Sequence, residues 1–512
     1  MKRRLSITSQ DTCPICIAKP IDENESGGSV TWIQCSKCAQ WYHTICLKIS
    51  NVEAAQYNFY HCKECSIVHG PSVRRRKSAR STASIDYVAL NEGNTFAVDK
   101  TVHPHINSFH EFASTGDIDQ HIEIKTNLDQ RHLLQRRIGC DIEDIKPILI
   151  PAGSRDDNET LGMKLPTSAD KITVSYVAQE VGEETPVEVM DVLTQQGVKP
   201  GWNMGQWRDY FNNPQNRDRI RNVISLEISD SETLGGGFKR PLMVENLDLV
   251  DKVWTSLKNE PRPKVTKYCL MSVKGSFTDF HIDFGGTSVY YTICSGKKSF
   301  LMFPPTDHNL KLYQNWCLET DQNFMWFPSI NGDTRIGQPT GGFKVDLNVG
   351  DVFIIPSGWI HAVYTPEDSV VIGGNYLTLM DLDMQLKIND IEKATKVPSK
   401  FRFPAFNKVL WLTSWYYYKH PQDLIDDLPK EDVTKFKVEE NDHETINVKQ
   451  EDEEIGESRA KKIFHKLISH LRSHLELSKS FKPARASIPM NIIGKDPLKY
   501  LDEISKWSEE TL

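Results

Sequence analysis

The chain has 512 residues, of which 39% are hydrophobic and 25% are charged, and its formal net charge at pH 7 is −8. These proportions are ordinary for a globular protein of two or three domains, and they exclude a fibre. No run approaches the roughly 18 to 20 consecutive apolar residues of a membrane span, and the N-terminus lacks an apolar signal core, so we expect an intracellular protein with no membrane partner and with reduced thiols.

The cysteines are clustered near the N-terminus. Seven of the eleven lie between Cys13 and Cys65, which in a chain without a secretion signal favours metal binding over disulfides. Each zinc ion takes four N or S ligands. A segment this short needs such metal sites for stability because its hydrophobic core is small. The sequence therefore predicts a domain over residues 11–67 with two structural zinc ions, bound by Cys13, Cys16, Cys35, Cys38, His43, Cys46, Cys62 and Cys65.

The order of these ligands, four cysteines, one histidine and three cysteines, resembles the plant homeodomain (PHD) finger, a small histone-tail reader with two interleaved zinc ions. This resemblance implies that Trp32 and Trp41 are substrate-binding residues, at positions where methyl-lysine readers place the walls of an aromatic cage. A cation–π interaction with the methylated ammonium would provide the binding energy. Packing within the finger explains Trp41 equally well.

A basic run at residues 73–80 dominates the next segment, residues 68–85. A solvated linker explains this run, and a nuclear localisation signal or a strip that contacts DNA phosphates are the functional alternatives. Residues 86–220 are predicted to form the N-terminal flank of the domain that follows, and residues 86–175 within it show no recognisable chemistry. From residue 171 onwards, short strands and helices with Trp202 and Trp207 predict the N-terminal flank of a catalytic domain.

Residues 221–380 are predicted to form a β-barrel, because strand-like segments alternate with glycine and proline turns. On one predicted strand, His281 and Asp283 stand two positions apart and therefore point to the same face. His361, which follows an apolar run and a Pro-Ser-Gly turn, supplies a third ligand. Two histidines and one carboxylate leave three coordination positions open, which is the arrangement of non-haem Fe(II) oxygenases.

Such an iron site needs a co-substrate to reduce oxygen, and 2-oxoglutarate would occupy two of the open positions. The far carboxylate of 2-oxoglutarate then requires a partner. Lys298, predicted to follow a hairpin turn at Ser295 and Gly296, supplies an ammonium group, and Thr278 supplies a hydroxyl group.

Several segments share one family resemblance: residues 278–289, Lys298, residues 358–366, residues 222–227 and residues 373–377. Over residues 176–385 the chain resembles the Jumonji-C (JmjC) histone lysine demethylases, and within them the branch typified by the fungal JmjC-domain histone demethylase 1. The resemblance implies a mixed fold class. It combines the PHD-type zinc finger with an all-β double-stranded β-helix, or jelly-roll, barrel that carries flanking α-helices and a helical C-terminal subdomain.

The resemblance also implies residue roles, with iron bound by His281, Asp283 and His361. 2-Oxoglutarate would be bound by Thr278 and Lys298, in a pocket lined by Asn222 and Tyr291. Asn375 would lie near the methylammonium group of the substrate.

The reaction that the resemblance implies removes mono- and dimethyl marks from lysine 36 of histone H3, with O2 as oxidant and with release of succinate and formaldehyde. The partners would be the histone H3 tail and the nucleosome, in the nucleus, with DNA contact through the basic linker. Two alternatives remain: a 2-oxoglutarate-dependent protein hydroxylase, and a non-catalytic chromatin reader.

The segment 305–345 is long for a connection and rich in aromatic residues, namely Trp316, Phe324, Trp326 and Phe327. A long insertion at a barrel rim is often a lid or a substrate wall, and plain packing explains the aromatic residues equally well.

The C-terminal part divides by composition into three segments. Residues 381–429 are predicted to form the helical subdomain, and residues 430–457 are acidic and predicted to be disordered. Residues 458–512 are predicted to be helical, with apolar residues at four-residue steps, and to dock onto the subdomain. These apolar residues are Ile463, Leu467, Leu471 and Leu475.

Overall fold

The computed structural model describes residues 13–15, 32–49, 54, 57–74, 102–126, 145–152, 161–257, 260–320, 322–330, 337–427 and 459–512. Cys16, most of the basic run and the acidic segment 430–457 lie outside these residues. The chain divides into two compact units, Met1–Ala97 and Val98–Leu512. Within the described ranges, no helix is both long and apolar enough to cross a bilayer.

The first unit contains short elements around a core of thiols. Strand β1 (Trp32–Gln34) pairs antiparallel with β2 (Trp41–His43), β3 (Tyr57–Phe59) pairs antiparallel with β4 (Val73–Arg74), and helix α1 spans Lys63–His69. The buried residues of its core are Tyr42 and the cysteines Cys13, Cys35 and Cys62. Among the described residues of this unit, the buried core consists largely of thiols, which favours stabilisation by bound metal ions.

The second unit is built on an eleven-stranded sheet. Its strands run in the order β5-β6-β16-β14-β17-β12-β11-β8-β9, with β13 also on β17 and β15 also on β14; β7 and β10 form a separate pair. The strands are β5 Glu123–Ile124, β6 Ile148–Ile150, β7 Pro186–Val187, β8 Met190–Asp191, β9 Gln196–Gly197, β10 Trp202–Asn203, β11 Arg221–Glu227, β12 Tyr268–Ser272, β13 Phe277–His281, β14 Ser288–Phe303, β15 Phe343–Leu347, β16 Val352–Ile355 and β17 Ile360–Tyr376.

Two long antiparallel strands, β14 with 16 residues and β17 with 17 residues, hold the sheet together. The first half of β14 pairs with β16 and its second half with β15. Likewise, the first half of β17 pairs with β13 and its second half with β12. Each long strand thus passes from one layer of the barrel to the other, and the predicted jelly-roll architecture is confirmed.

The predicted hairpin turn at Ser295 and Gly296 is wrong, because both residues lie inside β14. Gly296 has a φ of 71°, and a Cβ atom there would lie 2.1 Å from the carbonyl oxygen of Asp368. The pairing register shifts on both sides of it. A strand bulge and a hairpin turn both favour a left-handed glycine, so the sequence signal is the same for both.

Helices surround this sheet and extend beyond it. They are α2 His105–Glu111, α3 Val174–Val181, α4 Met204–Asn212, α5 Leu234–Gly237, α6 Leu242–Leu247, α7 Leu249–Trp254, α8 Asp307–Leu318, α9 Leu382–Ala394, α10 Phe406–Lys419, α11 Pro421–Asp426, α12 Arg459–Ser480, α13 Lys482–Ala486, α14 Met490–Ile493 and α15 Pro497–Thr511. Trp207 on α4 is fully buried in the main core, and Trp202 packs against that core. The domain bounds predicted from the sequence stay a prediction.

The C-terminal helix α12 docks onto the helical subdomain, as predicted. Ile463, Leu467 and Leu471 are buried in the same core cluster as Leu410 and Trp411 of α10. The apolar residues of α12, which recur at four-residue steps, are therefore buried by packing within the unit.

The aromatic residues of segment 305–345 divide between packing and exposure. Trp316 and Phe327 are fully buried, and their rings contact Phe280 of β13. Phe324, by contrast, is 77% exposed. Packing therefore explains Trp316 and Phe327, and a role in a wall at the barrel rim remains a prediction for Phe324.

Candidate metal centre and co-substrate pocket

His361 lies close to each of the other two side chains that the sequence predicts to bind iron. His281 ends β13 and lies opposite His361 of β17, with their ring centroids 4.3 Å apart. Asp283 lies two residues beyond β13 in extended backbone (φ −58°, ψ 139°). Its Oδ2 atom is 3.7 Å from Nε2 of His361.

A backbone carbonyl orients each of these imidazole rings. Nδ1 of His281 is 2.9 Å from the oxygen of Asp279, and Nδ1 of His361 is 3.1 Å from the oxygen of Trp359. A proton on Nδ1 satisfies each carbonyl and leaves the lone pair of Nε2 for a metal. Burial lowers the pKa of His361 to about 4, so this ring is neutral at pH 7. The donor set thus fits a divalent metal of the iron type.

The carboxylate of Asp283 is oriented by Asn375. The side-chain amide of Asn375 donates to Oδ1 of Asp283 (3.1 Å) and to Oγ1 of Thr287 (2.8 Å). Asn375 therefore positions the carboxylate of Asp283, a role that the sequence did not indicate. Its predicted contact with the substrate methylammonium stays a prediction.

Lys298 is nearly buried, with 3% of its surface exposed. Its ammonium group donates to Oγ of Ser272 (2.6 Å) and to Oγ1 of Thr365 (2.8 Å). Burial lowers the pKa of Lys298 to about 7, because the charged form loses its hydration. A carboxylate that enters this pocket would favour the charged form again.

Hydrogen bonds connect Lys298 to two further residues that the sequence predicts to bind the co-substrate. Oγ of Ser272 donates to Oδ1 of Asn222 (2.6 Å), and Nδ2 of Asn222 donates to Oγ1 of Thr278 (3.3 Å). Lys298, Asn222 and Thr278 therefore belong to one hydrogen-bonded polar cluster, and Ser272 is the link between them.

Tyr291 lies in the same layer as the metal centre. Its ring is edge-on to Phe300 at 5.4 Å, and the ring of Phe300 is 5.9 Å from His361. Burial raises the pKa of Tyr291, so the phenol stays protonated. It is therefore a neutral wall of the pocket.

Three polar residues of this site were missed by the sequence analysis. The side chain of Gln195 donates to the oxygen of Phe277 (2.9 Å) and accepts from the amide of Asp279 (3.1 Å), so it pairs with β13 as a neighbouring strand would. Thr365 follows His361 at an even spacing on β17, and this spacing indicates that both face the same pocket. Ser272 and Gln195 have no comparable local signal.

In the first unit, seven of the predicted zinc ligands form two groups. Cys35, Cys38, Cys62 and Cys65 converge, and so do Cys13, His43 and Cys46. The Sγ atoms of Cys38 and Cys62 are 3.8 Å apart, and Sγ of Cys46 is 3.6 Å from Nδ1 of His43. Tetrahedral zinc with ordinary bond lengths separates S–S and S–N ligand pairs by about 3.8 and 3.6 Å. Both groups therefore fit structural zinc ions.

Trp32 and Trp41 lie on one face of the β1–β2 ladder. Trp32 is opposite His43 and Trp41 is opposite Gln34, so the two tryptophans are diagonal neighbours. The ring centroid of Trp32 is 3.8 Å from that of His43, so this indole packs on a zinc ligand. Two aromatic rings on one face are compatible with a binding surface for a methylated ammonium group, which stays a prediction.

Comparison with known proteins identifies the family. A model of the Cupin-like domain matches residues 157–381, and a model of the Jumonji helical domain matches residues 380–472. The JmjC domain-containing histone demethylation protein 1 of Debaryomyces hansenii is 52% identical, over 98% of this chain and 99% of its own length. The proteins of the same name from Candida albicans and Yarrowia lipolytica are 50% and 40% identical; the alignments cover 98% and 80% of this chain, and 98% and 77% of those proteins. The chain therefore belongs to the family of the JmjC domain-containing histone demethylation protein 1.

Proposed function

We propose that this chain is an Fe(II)- and 2-oxoglutarate-dependent histone lysine demethylase that removes mono- and dimethyl marks from lysine 36 of histone H3. The observation that carries the proposal is the position of His361 close to both His281 and Asp283. The buried Lys298, which donates to Thr365 on the same strand as His361, supports a co-substrate with a free carboxylate. The names of the relatives support a histone as the substrate. The resemblance of residues 176–385 to the histone demethylase 1 branch supports lysine 36.

Iron bound by the three ligands, together with 2-oxoglutarate and O2, would supply the oxidation that converts an N-methyl group to a hydroxymethyl group, with succinate and CO2 as co-products. The hydroxymethylamine of the substrate then releases formaldehyde and leaves the amine with one methyl group fewer. Formaldehyde and succinate can be measured separately.

The residues of the chain would orient the reactants and exclude water. The carbonyls of Asp279 and Trp359 hold the two imidazole rings, and the amide of Asn375 holds Asp283. Lys298 would neutralise the far carboxylate of 2-oxoglutarate. His361 and Thr365 are separated by four residues on β17 and so face the same side of the strand, which supports a co-substrate held between the proposed metal ligands and Lys298.

The other partners belong to the same proposal. Two zinc ions would hold the first unit, which would bind the histone H3 N-terminus. The basic run at residues 73–80 would contact DNA, and the protein would act in the nucleus on nucleosomes.

The full chain, supplied with Fe(II), ascorbate and 2-oxoglutarate, tests this function on a panel of methylated histone H3 peptides. We expect mass spectrometry to show loss of methyl groups from mono- and dimethylated lysine 36. A product that gains one oxygen and keeps its methyl groups would indicate a protein hydroxylase instead. Peptide binding without any change of mass would indicate a non-catalytic reader.

We expect trimethyl-lysine 36 to be a poor substrate. Abstraction of hydrogen needs only an N-methyl group near the iron, so any preference must come from the walls of the pocket, where Tyr291 and Asn375 approach the metal ligands. A displacement of about 1 Å costs on the order of 100-fold in rate. Formaldehyde release from di- and trimethylated peptides measures this preference, and equal rates would show that these walls do not discriminate.

We expect the full chain to bind an unmodified or lysine-4-methylated H3 N-terminal peptide, and Trp41→Ala to weaken binding of the methylated peptide. Loss of one cation–π contact of about 0.5 to 2 kcal/mol corresponds to roughly 2- to 30-fold in Kd. Isothermal titration calorimetry measures it. Phe59→Ala is the matched control, because Phe59 is an exposed aromatic residue of β3, outside the β1–β2 ladder. An absence of peptide binding by the unaltered chain would reduce the finger to a structural module.

A further inference from the structure

A second group of metal-binding side chains lies on the opposite face of the strand that carries His281. The side chain of Thr278 accepts a hydrogen bond from Asn222, and the next residue, Asp279, therefore points to the other side of β13. A register shift between Thr278 and His281 interrupts the alternation of faces, so Asp279 and His281 do not share a side. There Asp279 meets His105, the first residue of α2, and His103 just before it. One ligand atom from each of the three side chains lies within 4.8 Å of the others. The three residues are 1%, 3% and 8% exposed for His103, His105 and Asp279.

Each of these side chains has one polar atom engaged and another without a partner. Nδ1 of His103 accepts from the backbone amide of His105 (3.2 Å), and Nδ1 of His105 is 3.3 Å from Oδ1 of Asp279. The buried atoms Nε2 of His103, Nε2 of His105 and Oδ2 of Asp279 have no hydrogen-bond partner among the described residues. Buried polar atoms are normally satisfied, so three such atoms in one place indicate a ligand that binds both nitrogen and oxygen.

The geometry favours a metal ion over a direct hydrogen bond. The 3.3 Å between Nδ1 of His105 and Oδ1 of Asp279 is long for a charge-assisted hydrogen bond, which is about 2.7 to 2.9 Å. A metal ion takes one nitrogen from each histidine and one oxygen from the carboxylate, and one such atom from each residue lies within 4.8 Å of the others.

The surroundings favour a cation. The ring of His103 stacks on Phe277 at 4.9 Å, and the ring of His105 lies 5.4 Å from that of Trp326. Among the described residues, the ion pair of Asp279 is the one with His105. A divalent cation would therefore neutralise a carboxylate in an aromatic environment, where an unpaired charge is costly.

We propose that His103, His105 and Asp279 bind a divalent first-row metal ion, zinc in the first instance. The ion would fasten the start of α2 to β13 across 174 residues of sequence. Since the carbonyl of Asp279 is 2.9 Å from Nδ1 of His281, the ion would also position a ligand of the catalytic metal. This site is additional to the proposed demethylase centre and does not depend on its activity.

The proposal is tested by measuring the zinc content of the full chain carrying His361→Ala. This substitution removes a ligand of the proposed iron site, so zinc bound there does not add to the measured content. Each protein is equilibrated in a zinc buffer and analysed by inductively coupled plasma mass spectrometry. We expect addition of His105→Gln to lower the content by about one zinc ion per chain. His110→Gln, an exposed position on the same helix, should leave it unchanged.

Circular dichroism and thermal unfolding show whether the His105→Gln protein is folded. A second variant provides an independent test if it is not. Asp279→Asn keeps the shape of the side chain and an oxygen for His105, and it is a weaker ligand because it carries no charge. We expect it to lose the same zinc ion. Unchanged zinc content in a folded His105→Gln or Asp279→Asn variant would show a hydrogen-bonded cluster without metal. Formaldehyde release by the unaltered chain tests the demethylase proposal separately.

Discussion

Replacement of His361 by alanine is expected to abolish demethylation and leave the zinc finger folded. The ring of His361 is 4% exposed, its Nε2 faces Asp283, and it is one of three protein ligands. Loss of a residue that merely supports a metal ligand costs about 10- to 100-fold in activity or affinity, so loss of a ligand should cost more than about 100-fold. Formaldehyde and succinate release measure the effect.

The control for this variant is His110→Ala, because His110 is an exposed histidine of the same unit and outside the metal centre. It should retain full turnover. Binding of the H3 N-terminal peptide should be the same in both variants, since the finger belongs to the other unit. Unchanged consumption of 2-oxoglutarate by the His361→Ala protein would contradict the assignment of the iron site.

Replacement of Lys298 by alanine is expected to raise the half-saturating concentration of 2-oxoglutarate. A hydrogen bond between the buried ammonium group and the far carboxylate is charge-assisted and contributes about 1.5 to 3 kcal/mol. Its loss corresponds to roughly 10- to 150-fold in half-saturation, which a titration of 2-oxoglutarate against succinate release measures.

Lys297→Ala is the matched control, because Lys297 is the neighbouring lysine on β14, is half exposed and pairs with Glu367 at 3.1 Å. It should leave half-saturation unchanged. If Lys298→Ala has no effect and Lys297→Ala or Lys274→Ala raises the half-saturating concentration, the partner of the carboxylate is one of those lysines.

The same pocket predicts proton uptake when 2-oxoglutarate binds. The pKa of Lys298 is lowered to about 7 by burial, so at pH 8 most of the free protein holds this lysine neutral. A bound carboxylate favours the ammonium form, so binding takes up close to one proton per chain, and the affinity falls as the pH rises above 7. Calorimetry in buffers of different ionisation enthalpy measures this uptake. It should be absent in the Lys298→Ala protein.

Several features of this protein are determined locally and could be predicted from the sequence. The Cys-x2-Cys spacing predicts two thiols at one metal site, and Cys35, Cys38, Cys62 and Cys65 do converge. The even spacing of His281 and Asp283 predicts that they lie close together, although β13 ends at His281 and Asp283 lies beyond it. The four-residue steps of Leu467 and Leu471 likewise predict the buried side of α12. In each case the separation along the chain sets the separation in space.

Other features depend on which distant segments meet, and only the tertiary structure decided them. Gly296 lies in a bulge and not in a hairpin turn, because β14 continues to pair with β17 on both sides of it. Ser272 and Gln195 are ordinary polar residues until folding places them against Lys298 and β13. The group of His103, His105 and Asp279 likewise forms across 174 residues. Polar side chains are common in any sequence, and they acquire a role when burial removes water as their alternative partner.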